Sequence, residues 1–350
     1  MNESHTHHKT LIAPFRQALY RNDVPAARAA LAEIMAPDCL VHMCHPFASF
    51  QGIDALFDCC FLPLSAAFPD LERRDFIVMA GATNEGNDWV GCAGRYIGTF
   101  VASFLDIPPT GHIAEMRFHE FYRFEAGKIV EVQAIWDIPE LMMQAGAWPM
   151  APSLGRALAV FGPATQDGLV QGPWDADAAG ASCDLVREML AHLVKHPAQG
   201  GPEVMELGRF WHPHMMWYGP AGIGVARGIE GFRTWHQIPF LNAMPDRGTH
   251  DDDLVFHFFG DGPYAAVTGW PNMLQTLSGD GWMGIAPTGK RIQLCSLDFW
   301  RIEERRIREN WVLIDLLDVY RQLGIDVLAR MREFNKARVR GAVDFQKGVL

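Results

Sequence analysis

"GIDALFDCCFLPLSAAFPD" runs from Gly52 to Asp70, and "GIEGFRTWHQIPFLNAMPD" runs from Gly228 to Asp246. An offset of 176 superimposes them, keeping the opening Gly-Ile, an internal Pro (Pro63 and Pro239) and the closing Pro-Asp. Farther on, "IPPTGH" (Ile107 to His112) returns as "IAPTGK" (Ile285 to Lys290), at an offset of 178. The second offset also carries Arg123 onto Arg301, Glu131 onto Glu309, Asp137 onto Asp315 and Gln144-Ala-Gly146 onto Gln322-Leu-Gly324. Fixed offsets held over such distances mark a duplicated unit. The two-residue slip falls near Trp89, where a loop has changed length. The chain therefore reads as a first domain over 1–150, a Gly-, Pro-, Asp- and Ala-rich linker over 151–180, and a second domain over 181–350.

Each copy has the same local order. Leu11, Phe15 and Leu19, then Ala27, Leu31 and Ile34, recur at helical spacing, and Asp23-Val-Pro25 marks a second helix start. A short helix follows Gly52 and stops near Pro69. "WVGCAGRYIGTF", "AEMRFHEFYRFE" and "IVEVQAIWD" then read as strands, the last two joined by a tight turn at Glu125-Ala-Gly127. "YAAVTGWPNML", "IQLCSLDFWRIE" and "IRENWVLID" hold the same places in the second copy, and Leu316 to Phe334 reads as a further amphipathic helix. Helices followed by an antiparallel meander predict an α+β unit, with helices on one face of a bent sheet.

Composition narrows the function. The 350 residues carry a formal net charge of −11 and no basic stripe, which argues against nucleic acid or an anionic membrane as partner. No apolar run approaches the roughly 20 residues of a membrane span. The N-terminus lacks the basic-then-apolar pattern of a secretory signal, and seven Cys, including adjacent Cys59 and Cys60, suit reduced thiols. A cytoplasmic protein is expected.

Several strings together resemble the SnoaL-like polyketide cyclases of the nuclear transport factor 2-like (cystatin-like) superfamily. They are "FPD" at Phe68, "GTFVASFLDIPPTG" from Gly98, "FYRFEAGKIVE" from Phe121 and "WDIPELMMQAG" from Trp136. The resemblance covers about 40–146 well and 216–324 more loosely. It implies two tandem cones, each a curved antiparallel sheet wrapped on its N-terminal helices and open at one end as an apolar pocket. It also implies pairing of the two cones through their sheets, an intrachain pseudo-dimer, with a further homodimer of chains as an extension. The family's founding activity is an intramolecular aldol closure without metal or organic cofactor, on a small hydrophobic carbonyl compound. Its acid/base Asp ends the last strand, where Asp137 and Asp315 stand. The chain also departs from the pattern, because Phe100 and Ser278 occupy a place where active members often carry His, and the second copy reads Thr276-Leu277 in place of Gly-Thr.

Strand alternation puts Asp137 on a face with Gln133 and Ile135, and Asp315 with Trp311 and Leu313. On the preceding strand, Glu120 and Asp298 occupy equivalent places and share a face with Tyr122 and Trp300, while His119 lies on the other face. His42 and Tyr218 align as amphipathic groups able to orient a carbonyl oxygen. Trp89, Trp217 and Trp270 are candidates for flat apolar walls, and Trp311 completes the set of substrate-contacting candidates. A carboxylate in an apolar cone suits proton abstraction, because desolvation raises its pKa toward neutrality. The reading is a cofactor-independent proton-transfer enzyme, with a non-catalytic small-molecule binding protein as the alternative.

Other motifs are set aside. "HTHH" (His5 to His8) has the composition of a metal tract but sits on a polar terminus that reads as disordered, and "HPH" (His212, His214) lacks a third ligand, so no metal is expected. "THDDD" (Thr249 to Asp253) reads as a solvated loop and "GPAGIGVARG" (Gly219 to Gly228) as the loop before a helix.

Overall fold

The computed structural model describes residues 2–157, 160–249 and 254–339. The first domain opens with α1 (Asn2–Tyr20) and α2 (Val24–Ile34). Helix α1 therefore runs through the "HTHH" tract, which is helical rather than disordered. The Asp23 side chain accepts the Ala26 N–H at 3.0 Å and Pro25 sits in the first turn, so α2 starts where the sequence placed it. Val24, Ala27, Leu31 and Ile34 are its buried stripe.

Next come β1 (Met35–Met43), β2 (Ser49–Gln51), α3 (Gly52–Leu56), a single π-helical turn at Phe57–Phe61 and α4 (Leu62–Ala67). Four long strands follow: β3 (Glu72–Ala82), β4 (Asp88–Thr99), β5 (Ile113–Glu125) and β6 (Lys128–Trp136), then α5 (Ile138–Gln144). The sheet order is β2-β1-β6-β5-β4-β3. Its meander is antiparallel as expected, but β1 runs parallel to β6. The β1 strand is an addition to the strands read from sequence, and Pro37, two residues into it, prevents α2 from continuing.

The second domain repeats this plan: α6 (Ala176–Leu193), α7 (Leu207–Phe210), β7 (Trp211–Tyr218), β8 (Val225–Arg227), α8 (Gly228–Phe232), a π turn at Arg233–Gln237 and α9 (Ile238–Ala243). Strands β9 (His257–Asp261), β10 (Tyr264–Thr268), β11 (Met273–Thr276), β12 (Arg291–Leu294), β13 (Ser296–Glu303) and β14 (Arg306–Ile314) complete it, with α10 (Leu316–Gln322) and α11 (Val327–Phe334) after them. Three elements are shorter than predicted, and the strand read through "IQLCSLDFWRIE" breaks at Cys295 into β12 and β13. Pro271 cannot donate to a ladder, and the strand read through "YAAVTGWPNML" splits there into β10 and β11. Gly324, at φ +92°, ends α10 and separates it from α11. His250–Asp253, most of the acidic run, and residues 340–350 at the end of the second domain lie outside the described residues.

The duplication holds at the level of single bonds. Gly111 N–H donates to Phe100 O and Gly289 N–H to Leu277 O, both at 2.9 Å, so the Pro-Thr-Gly corner is closed the same way twice. Both corner glycines have positive φ, +74° and +65°. Arg123 Nε meets Glu131 Oε2 at 2.9 Å, and Arg301 Nε meets Glu309 Oε2 at 2.5 Å.

The two sheets pack against each other through the faces that their own helices leave open. Phe121 of β5 stacks on Phe299 of β13, ring centroids 4.9 Å apart, and these residues are equivalent in the repeat. His119 Nδ1 lies 2.6 Å from the carbonyl oxygen of Leu297, likewise its own equivalent. The contact therefore lies on a pseudo-twofold axis within one chain. Both faces of β5 are consequently buried, which explains its run of nine buried or near-buried residues from Met116 to Phe124. Close approach demands glycine: a Cβ on Gly81 would stand 2.5 Å from the Gly260 carbonyl oxygen of the other domain.

Candidate functional site

The first domain's interior is filled. Phe61, Tyr96 and Trp136 pack with centroids 5.3–6.2 Å apart, and Phe118 lies 4.7 Å from Tyr96. Among these rings Glu120 is saturated by donors. Arg73 Nη1 reaches it at 2.6 Å, Tyr122 Oη at 2.6 Å, Tyr96 Oη at 2.9 Å and Trp136 Nε1 at 3.0 Å. A carboxylate held by four donors, one of them a buried guanidinium, has no acceptor capacity to spare for a ligand.

The second domain differs at the equivalent positions. Phe61 becomes Gln237, Phe118 becomes Ser296 and Trp136 becomes Ile314, so three aromatic rings are lost from the interior. Tyr122 becomes Trp300, which removes a hydroxyl donor from the carboxylate. What opens is a cavity of about 110 Å³, walled by Trp211, Trp217, Phe232, Phe240, Phe258 and Trp300.

Polar atoms without partners converge on that cavity. Asp298, the equivalent of Glu120, lines it, and its Oδ1 is buried with no hydrogen-bond partner. Burial pushes its pKa up to about 8, against the opposing pull of the Arg247 charge and a hydrogen bond from Ser296. At neutral pH its carboxyl is therefore mostly protonated. His236 stacks on Trp217 at 3.9 Å and 12°, with its Nδ1 buried and unpartnered. Burial lowers its pKa to about 3, with Arg247 adding to the effect, so the ring is neutral. Gln237 is 3% exposed, and both atoms of its amide lack partners. The indole Nε1 atoms of Trp211 and Trp300 are likewise buried and unpartnered. Buried polar groups are nearly always hydrogen-bonded, so such a concentration marks a place built for a polar-bearing ligand or ordered water.

Local folding explains how His236 and Gln237 arrive there. Both belong to the π turn between α8 and α9, and π turns insert an extra residue that re-aims side chains, frequently at functional sites. The first domain has the same turn, but with Cys60 and Phe61 at these places.

The candidates read from sequence fall into three groups. Trp217, Asp298 and Trp300 line the second domain's cavity. Glu120 and Tyr122 lie in the filled interior of the first domain. Most of the other eight lie at the junction between the domains. His42 stacks on Trp270 at 5.6 Å, Trp89 lies 5.1 Å from His257, Tyr218 stacks on Trp311 at 5.4 Å, and Trp311 Nε1 donates to Phe161 O at 2.7 Å. His119 has been placed on the pseudo-twofold axis. Asp137 Oδ2 accepts from Arg117 Nη2 at 2.5 Å and from the Ala221 N–H at 2.9 Å. Asp315 Oδ2 accepts from the His45 N–H at 2.8 Å, and its Oδ1 caps α10 through the Asp318 N–H at 3.1 Å. Sequence reasoning missed His236 and Gln237. His212 and His214, ring centroids 5.7 Å apart on β7, belong to no group of three ligating side chains among the described residues.

Among solved structures, IdmH from Streptomyces antibioticus is 23% identical, covering 40% of this chain and 98% of its own, with a TM-score of 0.34. AclR from Streptomyces galilaeus is 21% identical over 40% of this chain and 96% of its own, also with a TM-score of 0.34. An NTF2-like protein from Burkholderia thailandensis is 24% identical over 40% and 96%, with a TM-score of 0.31. Each matches one domain's worth of the chain. None of the curated proteins matches it. No helix among the described residues is long and apolar enough to cross a membrane. The family model of the SnoaL-like polyketide cyclases matches twice, over residues 15–145 and 201–323, and together these spans are well over half of the sequence. The chain thus belongs to the SnoaL-like polyketide cyclase family, with two matching regions in one polypeptide.

Proposed function

We propose that the second domain is a cofactor-independent proton-transfer site for a small, mainly apolar carbonyl compound, with Asp298 as its acid/base. The observation that carries this reading is the Asp298 carboxyl itself, unpartnered at Oδ1 and raised to about pKa 8 in an aromatic cavity. A carboxyl tuned toward the working pH suits a proton that adjacent carbonyl groups have acidified. The Gln237 amide and the Trp211 and Trp300 N–H groups supply donors for the enolate oxygen that develops, in a site where water is scarce. Asp137 and Asp315, where the family resemblance puts the acid/base, are engaged between the domains. The first domain serves as the platform on which the second is built.

A binding role without turnover is the second reading, favoured by the protonated carboxyl, which donates a hydrogen bond to a carbonyl oxygen as readily as it moves a proton. One assay separates these. 5-Nitrobenzisoxazole, an apolar carbon acid opened by a single proton abstraction, is expected to be turned over by the intact chain and not by Asp298→Asn. Quenching of tryptophan fluorescence by the same probe without turnover supports binding alone. Unchanged turnover in Asp298→Asn rules out Asp298 as the base.

A further inference from the structure

The "HTHH" tract does something in the fold. Helix α1 puts His5 and His8 on one face, three residues apart, against the start of β4. Asp88 stands there. His5 Nδ1 is 3.6 Å from Asp88 Oδ1 and His8 Nδ1 is 3.8 Å from Oδ2. Both separations are too long for hydrogen bonds. The two histidines are 4% and 5% exposed, and neither Nδ1 has any partner. Two buried ring nitrogens facing one carboxylate across a gap are costly unless something occupies it.

The ligand atoms of these three residues lie within 4.8 Å of one another, and no other such group of His, Cys, Asp and Glu occurs among the described residues. An ion with bonds of about 2.0–2.2 Å in tetrahedral geometry holds its ligand atoms roughly 3.3 Å apart. The two His–Asp88 separations of 3.6 and 3.8 Å exceed that by only about 0.3–0.5 Å. We propose that His5, His8 and Asp88 bind a divalent first-row transition ion of the zinc class. Two imidazoles and one carboxylate suit such an ion, whereas calcium and magnesium take shells of oxygen. The three protein ligands leave a fourth position for water.

The surroundings fit the assignment. His8 stacks on Phe124 at 4.4 Å and 17°, and His5 meets Trp174 edge-on at 4.5 Å, so both rings are held in place. Lys9, the nearest cation, is bound by Asp261 at 2.7 Å. Asp88, β4 and the ring of Phe124 belong to the first sheet, α1 carries both histidines, and Trp174 comes from the chain between the domains. The ion would staple these three segments together. None of these residues lines the second domain's cavity.

The test uses untagged full-length chain stripped with a chelator, titrated with Zn²⁺ by calorimetry and with Co²⁺ by visible absorption. One ion per chain, a higher thermal midpoint with Zn²⁺ and low-symmetry Co²⁺ bands are expected. His5→Gln together with His8→Gln should weaken binding at least about tenfold, since even an outer-shell partner is worth that much. His212→Ala should leave it unchanged. Absence of stoichiometric Zn²⁺ binding by the wild-type chain would overturn the proposal, as would undiminished binding in a folded His5→Gln/His8→Gln variant.

Discussion

The His45 N–H donates to the Asp315 carboxylate across the domain junction at 2.8 Å. Its repeat counterpart, the Ala221 N–H, donates to Asp137 at 2.9 Å. The loop after the first strand of each domain is thus held by the Asp that ends the last strand of the other. A reciprocal contact of this kind is what an isologous dimer makes between two chains. Here one chain makes it with itself.

If these carboxylates lock the domains together, removing them costs stability before it costs chemistry. Asp137→Ala strips a buried partner from Arg117, which keeps its ion pair with Glu140 at 3.2 Å and its hydrogen bond to the Gly219 carbonyl oxygen at 3.0 Å. A loss of about 3 kcal/mol in urea unfolding is expected. Asp315→Ala loses a helix cap and one interdomain bond, a smaller cost of about 1–2 kcal/mol. Both variants, assayed below their unfolding transitions, should still open 5-nitrobenzisoxazole.

Glu120 predicts the opposite of Asp298. Its four donors include Arg73, whose side chain is fully buried. Glu120→Ala leaves those donors unsatisfied and is expected to destabilise the chain by about 3–5 kcal/mol in denaturant titration. Turnover by the folded fraction should not change.

The pH dependence of stability follows from buried carboxyls raised above their ordinary values, Glu140 among them. Asp298 sits at about 8 and Asp315 at about 7, both raised mainly by burial above the ordinary 3.8. The folded state holds these protons more tightly than the unfolded chain does. Their contribution is therefore fully favourable below about pH 4 and is lost as pH rises through 7 and 8. Between pH 6 and 9 the thermal midpoint should fall, and Asp298→Asn should flatten that fall and be the more stable protein at pH 9.

Sheet contact has its own probe. A Cβ on Gly81 meets backbone of the second domain at 2.5 Å, where no side chain can swing away. Gly81→Ala should cost about 1–3 kcal/mol and raise the rate of proteolysis between the domains. An unchanged rate would show that the sheets do not approach as closely as described.

Much of the fold was legible because repetition is visible without knowing what it builds. Offsets of 176 and 178 aligned the two short helices after Gly52 and Gly228, both corners, and the Arg and Glu positions of both copies. The faces of the strands were legible too: Asp137 does share a side with Gln133, whose amide oxygen accepts from Thr268 of the other domain. What a period of two cannot say is which layer covers each face. Both faces of these strands are apolar, one against helices and one against a second sheet, so the strand-end Asp could be read toward either. His236 was hidden for a different reason. It sits in a helical stretch, where a lone His reads as surface, and only the exchanges Cys60 to His236 and Phe61 to Gln237 betray a buried polar pair. Asp88 is 80 residues from His8, beyond the reach of any local spacing argument.

The most direct test of the central claim is a titration of Asp298 by carbon-13 nuclear magnetic resonance in carboxyl-labelled protein, with Asp298→Asn supplying the assignment. An isolated carboxyl in the aromatic cavity predicts a midpoint near 8 that moves when an apolar carbonyl compound occupies the site. A midpoint near the ordinary 3.8 would contradict it, because a carboxylate ionised throughout the neutral range is neither desolvated nor poised to exchange a proton.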